Sequence, residues 1–189
     1  GFIPVQPEPV PTSDSSLSIS ITGFRGGHSG AEIHLGLGNA IVTLGRVLWE
    51  LSEKMELHLL SIKGGGKHNA IPRECEALIS VPSDHLEEAI NLAEKISSQV
   101  KAELGDLEPD FCLDCQKAQN QELRFNQEST NHILRLLRTM PHGVVAMSRV
   151  MEGLVETSTN FASIDTEKKG DILEVRVLTS QRSSVMSAI

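Results

Sequence analysis

The sequence predicts an α+β domain: a ferredoxin-like antiparallel sheet covered by two helices and extended by a further helix and strands. Three observations predict it. Residues 16–22, SLSISIT, alternate apolar and polar, the period of a half-buried strand. Ile33, Leu37, Ile41, Leu44, Leu48, Leu51 and Met55 recur at steps of three and four, the stripe of an amphipathic helix. The segments then follow in the order β-α-β-β-α-β, the split arrangement of ferredoxin-like folds.

Each element has a local reason. Residues 1–15 carry Pro4, Pro7, Pro9 and Pro11; with four backbone donors missing, they read as an extended linker. The strand 16–22 runs into a glycine-rich turn, GFRGGHSG. Ser29 and Glu32 have capping-box spacing, which predicts that the long helix starts there. Gly36, Gly38 and Gly45 weaken its intrinsic propensity, so tertiary packing must hold it; their small size points to close packing of the helix on the sheet. Residues 56–63 read as a second strand, GGGKHN as a flexible connection, and 73–81 as a third strand. Pro82-Ser83-Asp84 opens a second helix over 84–104, with Leu86, Ile90, Ala93, Ile96 and Val100 on one face and Gly105 as its C-cap. A strand near 110–117 completes a core of residues 16–118. In the extension, 119–189, residues 127–140 read as a third helix stopped by Pro141-His142-Gly143. Residues 154–165 and 171–180 read as two strands around a turn at Glu167-Lys168-Lys169-Gly170.

Composition excludes several functions. The chain has 189 residues, 39% hydrophobic and 22% charged, which is too apolar for disorder. A net charge of −8 argues against nucleic acid, which needs clustered Lys and Arg. Aromatics make up 3%, with no Tyr, so stacking platforms for single strands are not expected either. No apolar run approaches the roughly 20 residues of a membrane span, and no secretory leader opens the chain. Three cysteines make no disulfide framework and point to an intracellular protein. Cys112 and Cys115 form a CxxC pair, but in an alternating segment without partner ligands; they read as two incidental cysteines in a strand. The chain opens without an initiator Met and ends without a polar tail, so it is expected to be a piece of a longer protein.

The chemistry-bearing residues are few. Seven histidines invite a metal, yet His28 and His34 would lie about 240° apart around a helix. HExxH, HxD, GxSxG and P-loop patterns are absent. In Gly26-Gly27-His28-Ser29-Gly30 the glycines let a backbone approach a ligand closely. His28 sits just before a predicted helix start, where free N–H groups favour an anion. A neutral imidazole N–H there can donate to a developing oxyanion; the plainer alternative is a His that satisfies a turn carbonyl. Asn69, after the triple glycine, can bind substrate or simply fix its turn through an Asx bond. Taken alone, the chain lacks a complete catalytic apparatus and reads as a binding or assembly module.

Four motifs occur together in order: GGHSGAEIHLGLGNA, GGGKHNAIPRE, GLVETSTN and SQRSSVMSA. The combination resembles the aminoacyl-histidine dipeptidases (Xaa-His dipeptidases) of the M20 metallopeptidase family, from about residue 16 to 189. The resemblance implies a parent with a two-zinc catalytic domain and an inserted lid domain that also mediates homodimerisation; this chain is similar to the lid. No family metal ligand is matched here, so zinc is expected only in the full-length parent and no metal residue in this chain. Three residues carry over. His28 matches a lid His that stabilises the tetrahedral oxyanion in the partner subunit's active site. Asn69 matches a polar lid residue that helps bind substrate. Arg182 matches an Arg that holds the dipeptide's C-terminal carboxylate, a role suited to a planar fork of donors. Asn160 lies in a matching motif with a structural role only, and Met186 stands where the family commonly has an acidic residue. The resemblance implies a cytoplasmic zinc dipeptidase, with a lid that is inactive alone. The lid of another M20 peptidase or deacylase, or a non-catalytic assembly module, remain the alternatives.

Overall fold

The computed structural model describes residues 1–170 and 172–189. In chain order the elements are β1 (Phe2–Pro4), β2 (Pro7–Pro9), β3 (Asp14–Thr22), β4 (Gly27–His28), α1 (Ala40–Ser52), β5 (His58–Gly65), β6 (Ala70–Ile71) and β7 (Cys75–Pro82). They continue with α2 (Leu86–Leu104), β8 (Cys112–Ala118), β9 (Leu123–Phe125), α3 (Gln127–Thr139), β10 (Gly143–Met147), β11 (Val155–Lys169) and β12 (Ile172–Ser183). The last strand was expected from 171; that position lies outside the described residues.

The predicted β-α-β-β-α-β core is present as β3-α1-β5-β7-α2-β8. Its strands lie in the order β5-β7-β3-β8, all antiparallel, which is the ferredoxin-like order. Alternation in β3 puts Leu17, Ile19 and Ile21 fully inside. They meet Ile41, Leu44, Leu48 and Leu51 of α1 and Ala89, Ala93, Ile96 and Val100 of α2 in one apolar core. Truncating one such leucine typically costs about 2–5 kcal/mol. Gly105 ends α2 as expected, with φ at 51° and its N–H donated to the Lys101 carbonyl.

The extension adds to this sheet. β11 pairs with the free side of β5, β12 pairs with β11, and β1 pairs with β12. β10, which the sequence reading missed, pairs with the first part of β11. α3 packs on α1, where Gly45 admits it: a Cβ there would sit 2.8 Å from Leu137 Cβ. Gly45 thus serves helix-to-helix packing, not the helix-to-sheet contact expected from its size.

Two further expectations are corrected. Residues 1–15 are extended but are not a free linker, because β1 pairs with β12 and β2 with β9. Proline is tolerated there since β1 is an edge strand and β2 belongs to a two-stranded ribbon. The helix does not start at Ser29. Gly36 adopts a left-handed φ of 69° after the short turn Ile33–Leu35, which breaks the helical run. Asn39 then caps α1, its Oδ1 accepting from the N–H groups of Ile41 at 3.0 Å and Val42 at 3.3 Å. Ile33 and Leu37 kept the helical period by coincidence; they pack with Ile71 in a separate small cluster.

Cys112 and Cys115 lie three apart in β8, so they face opposite sides of the sheet. Burial pushes the Cys115 thiol up to about 11. Among the described residues no helix is long and apolar enough to cross a membrane.

Candidate functional site

The GGHSG turn is built by close contacts. β4 pairs with β6, with His28 opposite Ala70, and the Ser29 N–H donates to the Asn69 carbonyl at 2.9 Å. His28 and Asn69 are therefore neighbours across a two-residue ribbon. The Glu32 carboxylate does reach back, as a capping box would, but to the His28 N–H at 2.7 Å. It closes a turn instead of starting a helix.

His28 is exposed, and its ring is oriented by its own backbone. Nδ1 accepts from the N–H groups of Gly30 and Ala31, both at 3.1 Å. With Nδ1 occupied as an acceptor, the proton of the neutral imidazole resides on Nε2. The ring thus offers one N–H donor on its other edge.

Two arginines press against the glycines of this turn. A Cβ on Gly26, whose φ is 62°, would lie 2.4 Å from Arg73 Cγ. A Cβ on Gly30 would lie 2.6 Å from Arg182 Nη1 and 2.8 Å from Cζ. Arg182 sits on β12 opposite Ser158 of β11, and its guanidinium rests on the turn that carries His28. The fold thus gathers His28, Asn69 and Arg182, which are 154 positions apart from first to last, around one glycine turn.

Other residues support this turn; sequence reasoning gave Asn160 a structural role and missed the parts played by Glu108 and His142. Glu108 is buried, and its carboxylate accepts from the N–H groups of Arg25 at 2.8 Å and Gly38 at 2.7 Å. It ties both ends of the segment that carries His28. Asn160 is 1% exposed and donates to the carbonyls of Ala70 at 2.9 Å and His68 at 3.3 Å. His142 Nδ1 lies 3.2 Å from Asn39 Nδ2 and accepts from the Phe161 N–H at 3.4 Å; burial holds its imidazole down at about 4. Nothing local marks Glu108. Asn160 had a signal: it ends the run Thr157, Ser158, Thr159, Asn160, four polar residues that are all buried in one strand.

The site is open. A cleft of about 580 Å³ borders the loop before β6, lined among others by Lys63, Lys67 and Arg73, but His28, Asn69 and Arg182 do not line it. Among the described residues no three His, Cys, Asp or Glu side chains gather to hold a metal ion. The residues of this turn do not fit a zinc site.

Known proteins match this chain. Residues 19–108 match the sequence model of the M20 peptidase dimerisation domain. A cytosol non-specific dipeptidase of Escherichia coli (strain K12) is 37% identical over 157 residues, 83% of this chain and 32% of that protein. The crystal structure of an aminoacylhistidine dipeptidase from Vibrio alginolyticus superposes with a TM-score of 0.93 at 30% identity, over 99% of this chain and 37% of that one. The chain therefore spans about a third of the length of these relatives, with shares of 32% and 37%. The matched residues run from within β3 through α2, most of the ferredoxin-like core, and over them this chain is similar to the dimerisation domain of the M20 peptidases.

Proposed function

We propose that this chain is the lid and dimerisation domain of a cytoplasmic, zinc-dependent dipeptidase that hydrolyses Xaa-His dipeptides and works as a homodimer. The observation that carries the reading is the convergence of His28, Asn69 and Arg182 on one turn. His28 supplies an Nε2–H donor to the oxyanion that forms on the scissile carbonyl, in the partner subunit's active site. Asn69 contacts the substrate beside it. Arg182 pairs with the dipeptide's terminal carboxylate, which its fork of donors suits. The exposure of His28 and Arg182 supports a half-site that meets its reacting groups on another surface. Zinc and its ligands belong to the part of the protein outside this chain, so the isolated chain is inactive. The cytosolic setting and the dipeptide substrate class rest on the relatives' names, and the preference for His on the Vibrio enzyme alone.

The test is His28→Ala in the full-length protein, with kinetics on β-alanyl-histidine and on other dipeptides. Removal of an oxyanion donor typically lowers kcat by roughly 10²–10³, and the expected result is such a drop with little change in KM. An unchanged kcat defeats the oxyanion role and leaves the assembly reading.

A further inference from the structure

Asn160 stands apart from the three site residues, yet both hydrogen bonds of its side chain go to the segment that carries one of them. It projects from β11, 1% exposed, and its Nδ2 donates to the carbonyls of His68 at 3.3 Å and Ala70 at 2.9 Å. Those carbonyls flank Asn69. The Asn69 carbonyl in turn accepts from the Ser29 N–H, and Ala70 pairs with His28. One buried amide therefore pins the turn that carries Asn69, and the strand β6 that borders His28, to the main sheet. Among the described residues its buried Oδ1 has no hydrogen-bond partner. A buried, unpaired acceptor is costly, so the side chain is held here by its donor end.

We propose that Asn160 is a positioning residue that sets the Asn69 side chain for substrate, an inference that rests on the substrate role proposed for Asn69. The chemistry selects this residue type. Two carbonyls converge, and a primary amide has two N–H groups for them. Serine has one. Aspartate has the same shape but no donor when ionised, and it would set a carboxylate against two carbonyl oxygens. An apolar side chain would leave both carbonyls unpaired.

The experiment is a double-mutant cycle in the full-length protein, using Asn69→Ala, Asn160→Asp and the pair, with kcat and KM measured separately. Asn160→Ser, which keeps one donor, serves as the milder variant if the aspartate does not fold. Misplacement of a binding group by about 1 Å costs up to about a hundredfold. Asn160→Asp is expected to lower kcat/KM about ten- to a hundredfold, with Asn160→Ser between it and wild type. In the Asn69→Ala background either change is expected to add less than about twofold, because the group it positions is gone. Hydrogen exchange gives a second readout: the Ser29 amide should lose protection in Asn160→Ser while that of Ile79, in the centre of β7, does not. Full additivity with Asn69→Ala, or unchanged kcat/KM and Ser29 exchange in both Asn160 variants, overturns the proposal. If Asn69→Ala itself leaves turnover intact, the substrate role of Asn69 fails first, a result distinct from the others.

Discussion

Gly30→Ala separates the role of the glycine turn from its stability. A methyl group at this position would lie 2.6 Å from Arg182 Nη1, 2.8 Å from Cζ and 3.2 Å from Nε. Ordinary van der Waals contact for such pairs begins near 3.4 Å, so the guanidinium must retreat by close to 1 Å. It can do so cheaply, because Arg182 is exposed and its guanidinium ends a flexible chain. Gly30 is also not among the positive-φ glycines, so alanine meets no backbone penalty. A compatible Gly→Ala change even stabilises by about 0.4–1 kcal/mol through the unfolded chain. The net effect on stability is therefore expected within about 1 kcal/mol of wild type. Function responds differently. A charge-assisted bond to a carboxylate is worth about 1.5–3 kcal/mol, so displacing the guanidinium should raise KM for a dipeptide about ten- to a hundredfold. The assay pairs urea unfolding of the 189-residue chain with kinetics of the full-length protein, including Gly30→Ala in an Arg182→Ala background. There the alanine should add nothing. A variant that folds normally with unchanged KM, or one whose effect persists without Arg182, refutes the reasoning.

Two further predictions concern the frame around the site. Glu108→Ala leaves the N–H groups of Arg25 and Gly38 without their acceptor; urea unfolding should show a loss of roughly 3 kcal/mol or more, and a loss below about 1 kcal/mol would mean that the clamp is dispensable. His142 supplies a pH dependence. Burial holds its imidazole at about 4 in the fold, against 6.5 for the free group, so the unfolded chain takes up the proton first as pH falls. Its contribution is fully present above about pH 6.5 and is lost progressively towards about pH 4, in total about 3 kcal/mol. His142→Gln should flatten the unfolding free energy across that window relative to wild type; an identical slope in both proteins would sink the assignment.

The sequence by itself determined the fold class and the strand and helix order of the core. That information is local: the alternation of Leu17, Ile19 and Ile21, the stripe Ile41, Leu44, Leu48 and Leu51, and the C-cap at Gly105 need no distant partner to be read. Its motifs also named His28, Asn69 and Arg182. Wherever two segments compete for the same residues, the sequence misled. Ile33 and Leu37 kept the helical period while Gly36 broke the helix, and the proline-rich start resembled a linker while β1 and β2, which hold three of its four prolines, paired at the sheet edge and with β9. Only the tertiary structure brought Arg182 onto Gly30, buried Glu108 between two backbone N–H groups and hung the Asn69 loop from Asn160. Each is a contact across more than 65 positions, fixed by shape and by the need to pair buried polar groups. Such a need arises only after the chain has closed on itself.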